Sequence, residues 1–334
     1  MADIVSTIKQ VFPLRTVVIV GDLVADQFLN GTISRVSREA PVFILRHDDT
    51  TTLPGAAANA AMNVASLGGK PVLIGCAGAD ANGDMLIDTL GSAGVNCEGV
   101  RRSETIRTTT KVRVLAGQHY AARQQVIRID YESPPELTDE IKAELRKNLA
   151  RVEREADAMI VSDYGYGAVF PEIFADALAY SKARGIPLIV DSRFGLEKLA
   201  NATTATPNRE EVEQILGANF APEDCSRLLE RLGLRALLVT NGNQGMSLFD
   251  QGKEPLHIPA VGPTEPVDVT GAGDTVIAAY SLGLASDLGF RESAIIANHA
   301  GGIVVMKKGT AAATSQLLIK SLCGDGAELS SHAK

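Results

Sequence analysis

Five short runs of apolar, largely β-branched residues constrain this chain more than any other feature. They occupy residues 16–22, 71–75, 158–163, 187–191 and 236–240, and each is closed by Gly, Asp or Thr. Their hydrophobicity is continuous rather than alternating, which marks strands covered on both faces, as in a parallel sheet between helix layers. Segments 56–67, 137–155, 171–184, 209–216 and 223–232 have the spacing of one buried helical stripe. Strand–helix alternation over this length predicts an α/β fold, a doubly wound and mainly parallel sheet sandwiched by helices. The 334 residues suffice for a large core. One domain is expected over 1–322, with a small, polar tail at 323–334 that frays.

Two stretches, 31–46 and 108–131, break this rhythm. They are rich in Thr, Val, Ile and Arg, and they alternate, as in Lys111-Val-Arg-Val-Leu115 and Val126-Ile-Arg-Ile-Asp130. Alternation implies a sheet with one wet face. We read them as strands of a small protruding sheet, a lid placed to keep water off a reaction; an edge extension of the main sheet suits the same pattern. The apolar positions Val36, Val42, Val112, Val114 and Ile127 give the lid a surface that a second copy of the chain could bury, so a homodimer is a candidate assembly.

The net charge is −8 and no basic run exists, which argues against a generic grip on nucleic acid. No apolar run approaches the roughly 18 residues of a membrane-spanning helix, and the first residues lack the layout of a secretory leader. A cytoplasmic protein is expected. Cys76, Cys97, Cys225 and Cys323 are scattered, with no metal-ligand spacing, and read as idle thiols of a reducing compartment.

The strongest chemical signal is Val267-Asp-Val-Thr-Gly-Ala-Gly-Asp-Thr-Val-Ile-Ala-Ala279. A small-residue loop feeding an apolar helix makes an anion seat, because the first turn has free N–H groups and a positive dipole end. Asp274 stands beside that seat. A carboxylate there repels an anion unless it has a task, such as taking the proton of an attacking hydroxyl; as a helix cap it would need no such task.

Asp268-Val-Thr-Gly-Ala-Gly-Asp274 resembles the C-terminal signature of the ribokinase (PfkB) family of sugar kinases. Gly55-Ala-Ala-Ala-Asn59, running through Asn63 to Gly68, and Gly75-Cys-Ala-Gly-Ala-Asp80 resemble its N-terminal signature. The motifs keep the family's order from Thr16 to about Thr314. The resemblance implies an ATP- and Mg²⁺-dependent phosphotransferase. Asp274 matches the catalytic base, and the amides of Gly271, Ala272 and Gly273 match the anion hole. Asp26, Gly55 and Asn59 match sugar contacts. Pro207-Asn208-Arg-Glu-Glu211 resembles the family's NxxE motif, so Asn208 and Glu211 are expected at the Mg²⁺ shell through water; the same residues make an ordinary helix start. Thr240, Gly242 and Gly245 lie in a segment resembling the loop along the ATP phosphates and ribose, which also reads as a hairpin turn. Asn298 is a candidate for the adenine wall. Ala56 replaces the second glycine usual in the N-terminal motif.

Ser34-Arg-Val-Ser-Arg-Glu-Ala-Pro-Val42, Thr110-Lys-Val-Arg113 and Gln124-Gln-Val-Ile-Arg-Ile-Asp130 resemble the heptose 7-phosphate 1-kinase branch. A phosphorylated substrate needs countercharges, and Arg35, Arg38 and Lys111, with Arg113 and Arg128, form the pool for them. The branch usually has Lys where this chain has Tyr166, and Asp-Pro-Lys where it has Asp191-Ser-Arg193. A kinase for another sugar, sugar phosphate or nucleoside is the alternative. The branch's bifunctional members add a nucleotidyltransferase domain, whose HxGH motif this sequence lacks, so the kinase part is expected here.

Overall fold

The computed structural model describes residues 2–118, 123–132, 136–262 and 265–324. Most of the expected tail, 325–334, lies outside them. Helix α1 (Ala2–Gln10) leads into β1 (Thr16–Gly21), and a long hairpin follows, β2 (Leu23–Val36) and β3 (Phe43–Ala56). The chain returns through α2 (Ala57–Ser66), β4 (Lys70–Gly78), α3 (Ala81–Ser92) and β5 (Asn96–Ser103). Strands β6 (Thr109–Gly117) and β7 (Gln124–Tyr131) leave the body again. The second half alternates regularly: α4 (Asp139–Val152), β8 (Ala158–Asp163), α5 (Pro171–Arg184), β9 (Leu188–Ser192), β10 (Thr204–Ala205), α6 (Arg209–Leu216), α7 (Pro222–Arg231), β11 (Ala236–Thr240). Strands β12 (Met246–Asp250) and β13 (Leu256–Ile258) and helices α8 (Ala272–Ala285), α9 (Phe290–Val304) and α10 (Ser315–Leu322) complete it.

Among the described residues the main sheet has the order β13-β12-β11-β10-β9-β8-β1-β4-β5. Its strands run parallel from β5 to β11, and the β11–β12–β13 edge is antiparallel. Successive residues of one strand enter opposite cores, which is why the runs read as continuously apolar. Ile19, Leu73, Ile160 and Leu238 pack with α2, α8 and α9, whereas Val18, Ile74, Val161 and Val239 pack with α4, α5 and α7. Helix α8 is buried over nearly its whole length, so its apolar residues go all the way round.

The protruding sheet has the order β3-β2-β6-β7, with β2 and β6 parallel and the outer pairs antiparallel. It starts earlier than the expected 31–46. Leu23–Asp26 at the root of β2 are buried on both faces, so no alternation marks them, and the middle of β3 (His47 to Thr51) is exposed on both faces. Val112 and Val114, expected on the outer surface, are buried; Val36, Val42, Phe43 and Ile127 are exposed.

No helix among the described residues is long and apolar enough to cross a membrane. The four cysteines are unpaired, and burial pushes the Cys76, Cys97 and Cys225 thiols up to about 11, which keeps them protonated.

Candidate active site

The carboxyl ends of β1, β8, β9 and β11 meet the root of the protruding sheet and the N-terminus of α8, the crevice position at which open α/β sheets bind ligands. Asp274 lies here, 4% exposed, in the first turn of α8. It does not cap the helix. Gly271 holds the N-cap position, with no side-chain bond to the turn. The Asp274 carboxylate instead faces two donors from elsewhere: Asn59 Nδ2 donates to Oδ2 at 2.8 Å and Tyr164 Oη to Oδ1 at 2.9 Å. Burial pushes the Asp274 carboxyl up to about 7; these two hydrogen bonds pull the other way, Asp26 adds to the rise and Lys111 opposes it. A carboxyl poised there ionises within the range where an enzymatic base works.

Gly271 is required by two constraints. Its φ is 76°, and a Cβ would stand 2.5 Å from Asn59 Nδ2. Asn59 is itself held by Asn63, whose Nδ2 donates to its backbone oxygen at 3.0 Å and its Oδ1 at 3.1 Å. Asn63 Oδ1 accepts from Thr275 Oγ1 and from the Ala313 N–H. Two helices, α2 and α8, are thus tied by a buried amide network around the Asp274 carboxylate.

Across the crevice, Asp26 on β2 accepts from Arg113 Nη1 at 2.5 Å, an ion pair with both side chains largely buried. Gly55 on β3 permits it, since a Cβ there would fall 2.5 Å from Asp26 Oδ2. Lys111 lies beside Asp26 on β6, 7% exposed, with its ammonium 5.8 Å from the Tyr164 ring centre and 5.5 Å from that of Tyr166. Burial lowers its pKa. Arg35 and Arg38 are not brought here. They are exposed at the far end of the β2–β3 hairpin, roughly 30 Å along the strand from Asp26 at about 3.3 Å per residue. The segment 34–42, with basic residues expected as countercharges for a phosphorylated substrate, is an exposed hairpin end within this chain.

On the other side, Thr240, Gly242, Gly245, Ala272, Gly273 and Asn298 line one largely apolar cavity of about 160 Å³. The hairpin turn expected at 240–245 is also present, between β11 and β12. Asn298 Nδ2 donates to the Pro259 carbonyl at 2.7 Å, fixing the amide in the wall. Asn208 and Glu211 form a complete capping box at α6: Glu211 N–H donates to Asn208 Oδ1 and Asn208 N–H to Glu211 Oε2. Burial raises the Glu211 pKa, and burial with the neighbouring charges of Glu211, Asp274 and Asp163 raises that of Asp191 well above the carboxylate range.

Two residues outside the expected set complete the site. Asp22 accepts from the backbone N–H groups of Tyr164, Tyr166 and Ala168 and so shapes the loop after β8. Tyr164 is the second holder of Asp274. Both lie at ends of runs the sequence marks as strands, Asp22 after Gly21 and Tyr164 before Gly165, but their roles depend on strands distant in sequence.

The fold is that of the ribokinase-like kinases. The Arabidopsis thaliana ribokinase complexed with ribose and ATP matches 92% of this chain and 98% of its own at a TM-score of 0.70 and 22% identity. Phosphofructokinase-2 from Escherichia coli, in complex with substrates and products, matches 93% and 99% at 0.75 and 20%. The family model described as pfkB family carbohydrate kinase matches residues 15–317, and the chain belongs to that family. The Bifunctional protein HldE of Desulfatibacillum aliphaticivorans is 36% identical over 301 residues, which is 88% of this chain. The chain spans 60% of the length of that relative.

Proposed function

We propose that this chain transfers the γ-phosphoryl group of ATP to a sugar hydroxyl, with the anomeric hydroxyl of heptose 7-phosphate as acceptor, in the cytoplasm where ATP is made. The observation that carries the reading is Asp274: a buried carboxylate held from two sides at the mouth of a helix N-terminus, next to a cavity of adenine-slot character. Asp274 takes the proton of the acceptor hydroxyl as its oxygen attacks the γ-phosphorus. The bond from that phosphorus to the bridging oxygen breaks, and ADP leaves with the electron pair. The amides of Gly271, Ala272 and Gly273 stabilise the charge on the migrating group, and positioning supplies most of the remaining catalysis.

Asp26, Gly55, Asn59 and Lys111 form the sugar side, and Thr240, Gly242, Gly245 and Asn298 the nucleotide side. A Mg²⁺ ion fits the donor set. Glu211 keeps one carboxylate oxygen outside its cap and Asp191 lies close, but no group of three or more His, Cys, Asp or Glu among the described residues is arranged to hold a metal. That suits an ion that keeps most of its waters and leans on substrate phosphates. When bound, Mg²⁺ neutralises charge on the β- and γ-phosphate oxygens.

The protruding sheet is read as a lid and as the contact between two copies. Val36, Val42, Phe43 and Ile127 are exposed there, and an apolar rim of this kind is costly in water. ADP release measured against a panel of heptose 7-phosphate, free heptose, hexoses, hexose phosphates and nucleosides tests the reading. Turnover greatest on heptose 7-phosphate is expected. Greatest turnover on a nucleoside or unphosphorylated hexose would refute the acceptor, and none on any of them would refute the kinase.

A further inference from the structure

We propose that Tyr164 is a positioning residue for the Asp274 base: its hydroxyl fixes the rotation of the carboxylate and holds it in the ionised form that accepts the substrate proton. The inference rests on the base role assigned above. Each Asp274 oxygen receives one donor, Asn59 Nδ2 on Oδ2 and Tyr164 Oη on Oδ1, so turning the carboxylate about Cβ–Cγ breaks both bonds. Each oxygen keeps a further lone pair for the acceptor hydroxyl. Burial, and next the Asp274 charge, hold the Tyr164 phenol well above its ordinary pKa, so it remains a donor and never competes for the proton.

The structure holds this tyrosine more firmly than an ordinary loop residue. Asp22 accepts the N–H groups of Tyr164, Tyr166 and Ala168, fixing the backbone that presents the ring. The Lys111 ammonium lies 5.8 Å from the ring centre and contacts it from the lid side. Every element around Asp274 contributes to its charge balance: Asn59 from α2, Asp26 from β2, Lys111 from β6, Tyr164 after β8 and Asp191 from β9, with Glu211 of α6 beside Asp191. Asp26 and Asp191 oppose ionisation. Lys111, Asn59 and Tyr164 favour it, and Tyr164 is a neutral donor whose hydroxyl can be removed without changing the charge of the site.

Tyr164→Phe keeps the ring, its contact with Lys111 and the three backbone bonds to Asp22, and it deletes the one hydroxyl. The test is kcat against pH from about 6 to 9 for the parent, Tyr164→Phe and Asp274→Asn, each first shown by nucleotide titration to be folded. The acid limb of Tyr164→Phe is expected to move up by about one pH unit, lowering turnover roughly tenfold near pH 6.5 and less than about threefold at pH 9. KM for ATP should be unchanged. A parental acid limb, with turnover either equal or lowered uniformly, would overturn the role of Tyr164 while leaving the base in place. Parental turnover in Asp274→Asn would instead overturn the base itself, and the inference with it.

Discussion

At the scale of single residues, the site sets stability against activity. Burial lifts the Asp274 carboxyl from the ordinary carboxylate range to about 7. Its contribution to stability is therefore present below the unfolded pKa and is lost as pH rises through about 7, whereas the base role proposed for it begins only when it ionises. Turnover and stability should move in opposite directions between about pH 6 and pH 8. Asp274→Asn should lower kcat by about 10²–10⁴-fold yet raise stability at pH 8 by about 1–3 kcal/mol, read from urea midpoints. An unchanged midpoint would mean that the charge is not buried as described. Ala56 offers a second case. It has φ 55° and ψ −134°, a backbone conformation that favours glycine, at the position where the family motif usually has one. Relief of that strain exceeds the extra chain entropy of glycine, so Ala56→Gly should stabilise the protein by about 1 kcal/mol, seen as a higher Tm. Asp274 and Asn59 were legible in the sequence because small-residue motifs announce close backbone approach. The partners of Tyr164 and Asp22 were not, because a strand-end residue shows where a strand stops and not what it meets until the fold brings β1, β8 and α8 together. Arg35 at the end of β2 and Arg38 in the turn beyond it lie far from Asp274 within this chain, because basic residues in such a segment carry no information on how far along the hairpin the site lies.

At the scale of elements, legibility followed burial. The runs that became β1, β8 and β11 are covered on both faces, so their composition alone marked them, and α5 and α6 have the residue ranges expected from their stripes. Strand β3 escaped because the middle of it faces solvent on both sides, and its partner β2 dictates its conformation instead. The joint between α2 and α8 is the element-level feature on which the site depends. Asn63 is fully buried, and its amide serves Asn59, Thr275 and Ala313 together. Asn63→Ala would leave the Thr275 hydroxyl one acceptor poorer and the Ala313 N–H without its partner. A loss of about 2–3 kcal/mol in urea unfolding is expected, with kcat falling as Asn59 loses its support. A loss of stability with kcat untouched would show that α2 does not hold the base.

At the scale of the whole molecule, the parallel sheet delivers strand ends to one crevice, and the chain leaves it after β1 and again after β5 to build the second sheet. That arrangement brings Asp26 and Lys111 opposite Asp274 although the three lie on separate elements. The exposed apolar positions of the second sheet predict a dimer in light scattering at micromolar concentration. Val36→Asp with Ile127→Asp should yield monomer, and a monomeric parent would remove the lid contact from the account. The proposed chemistry depends on the phosphoryl group crossing the N-terminus of α8. A crystal structure with a non-hydrolysable ATP analogue and Mg²⁺ tests it most directly. The terminal phosphate is expected within hydrogen-bonding distance of the amides of residues 271–273, with Asp274 facing the acceptor side. A terminal phosphate bound away from that turn would contradict it.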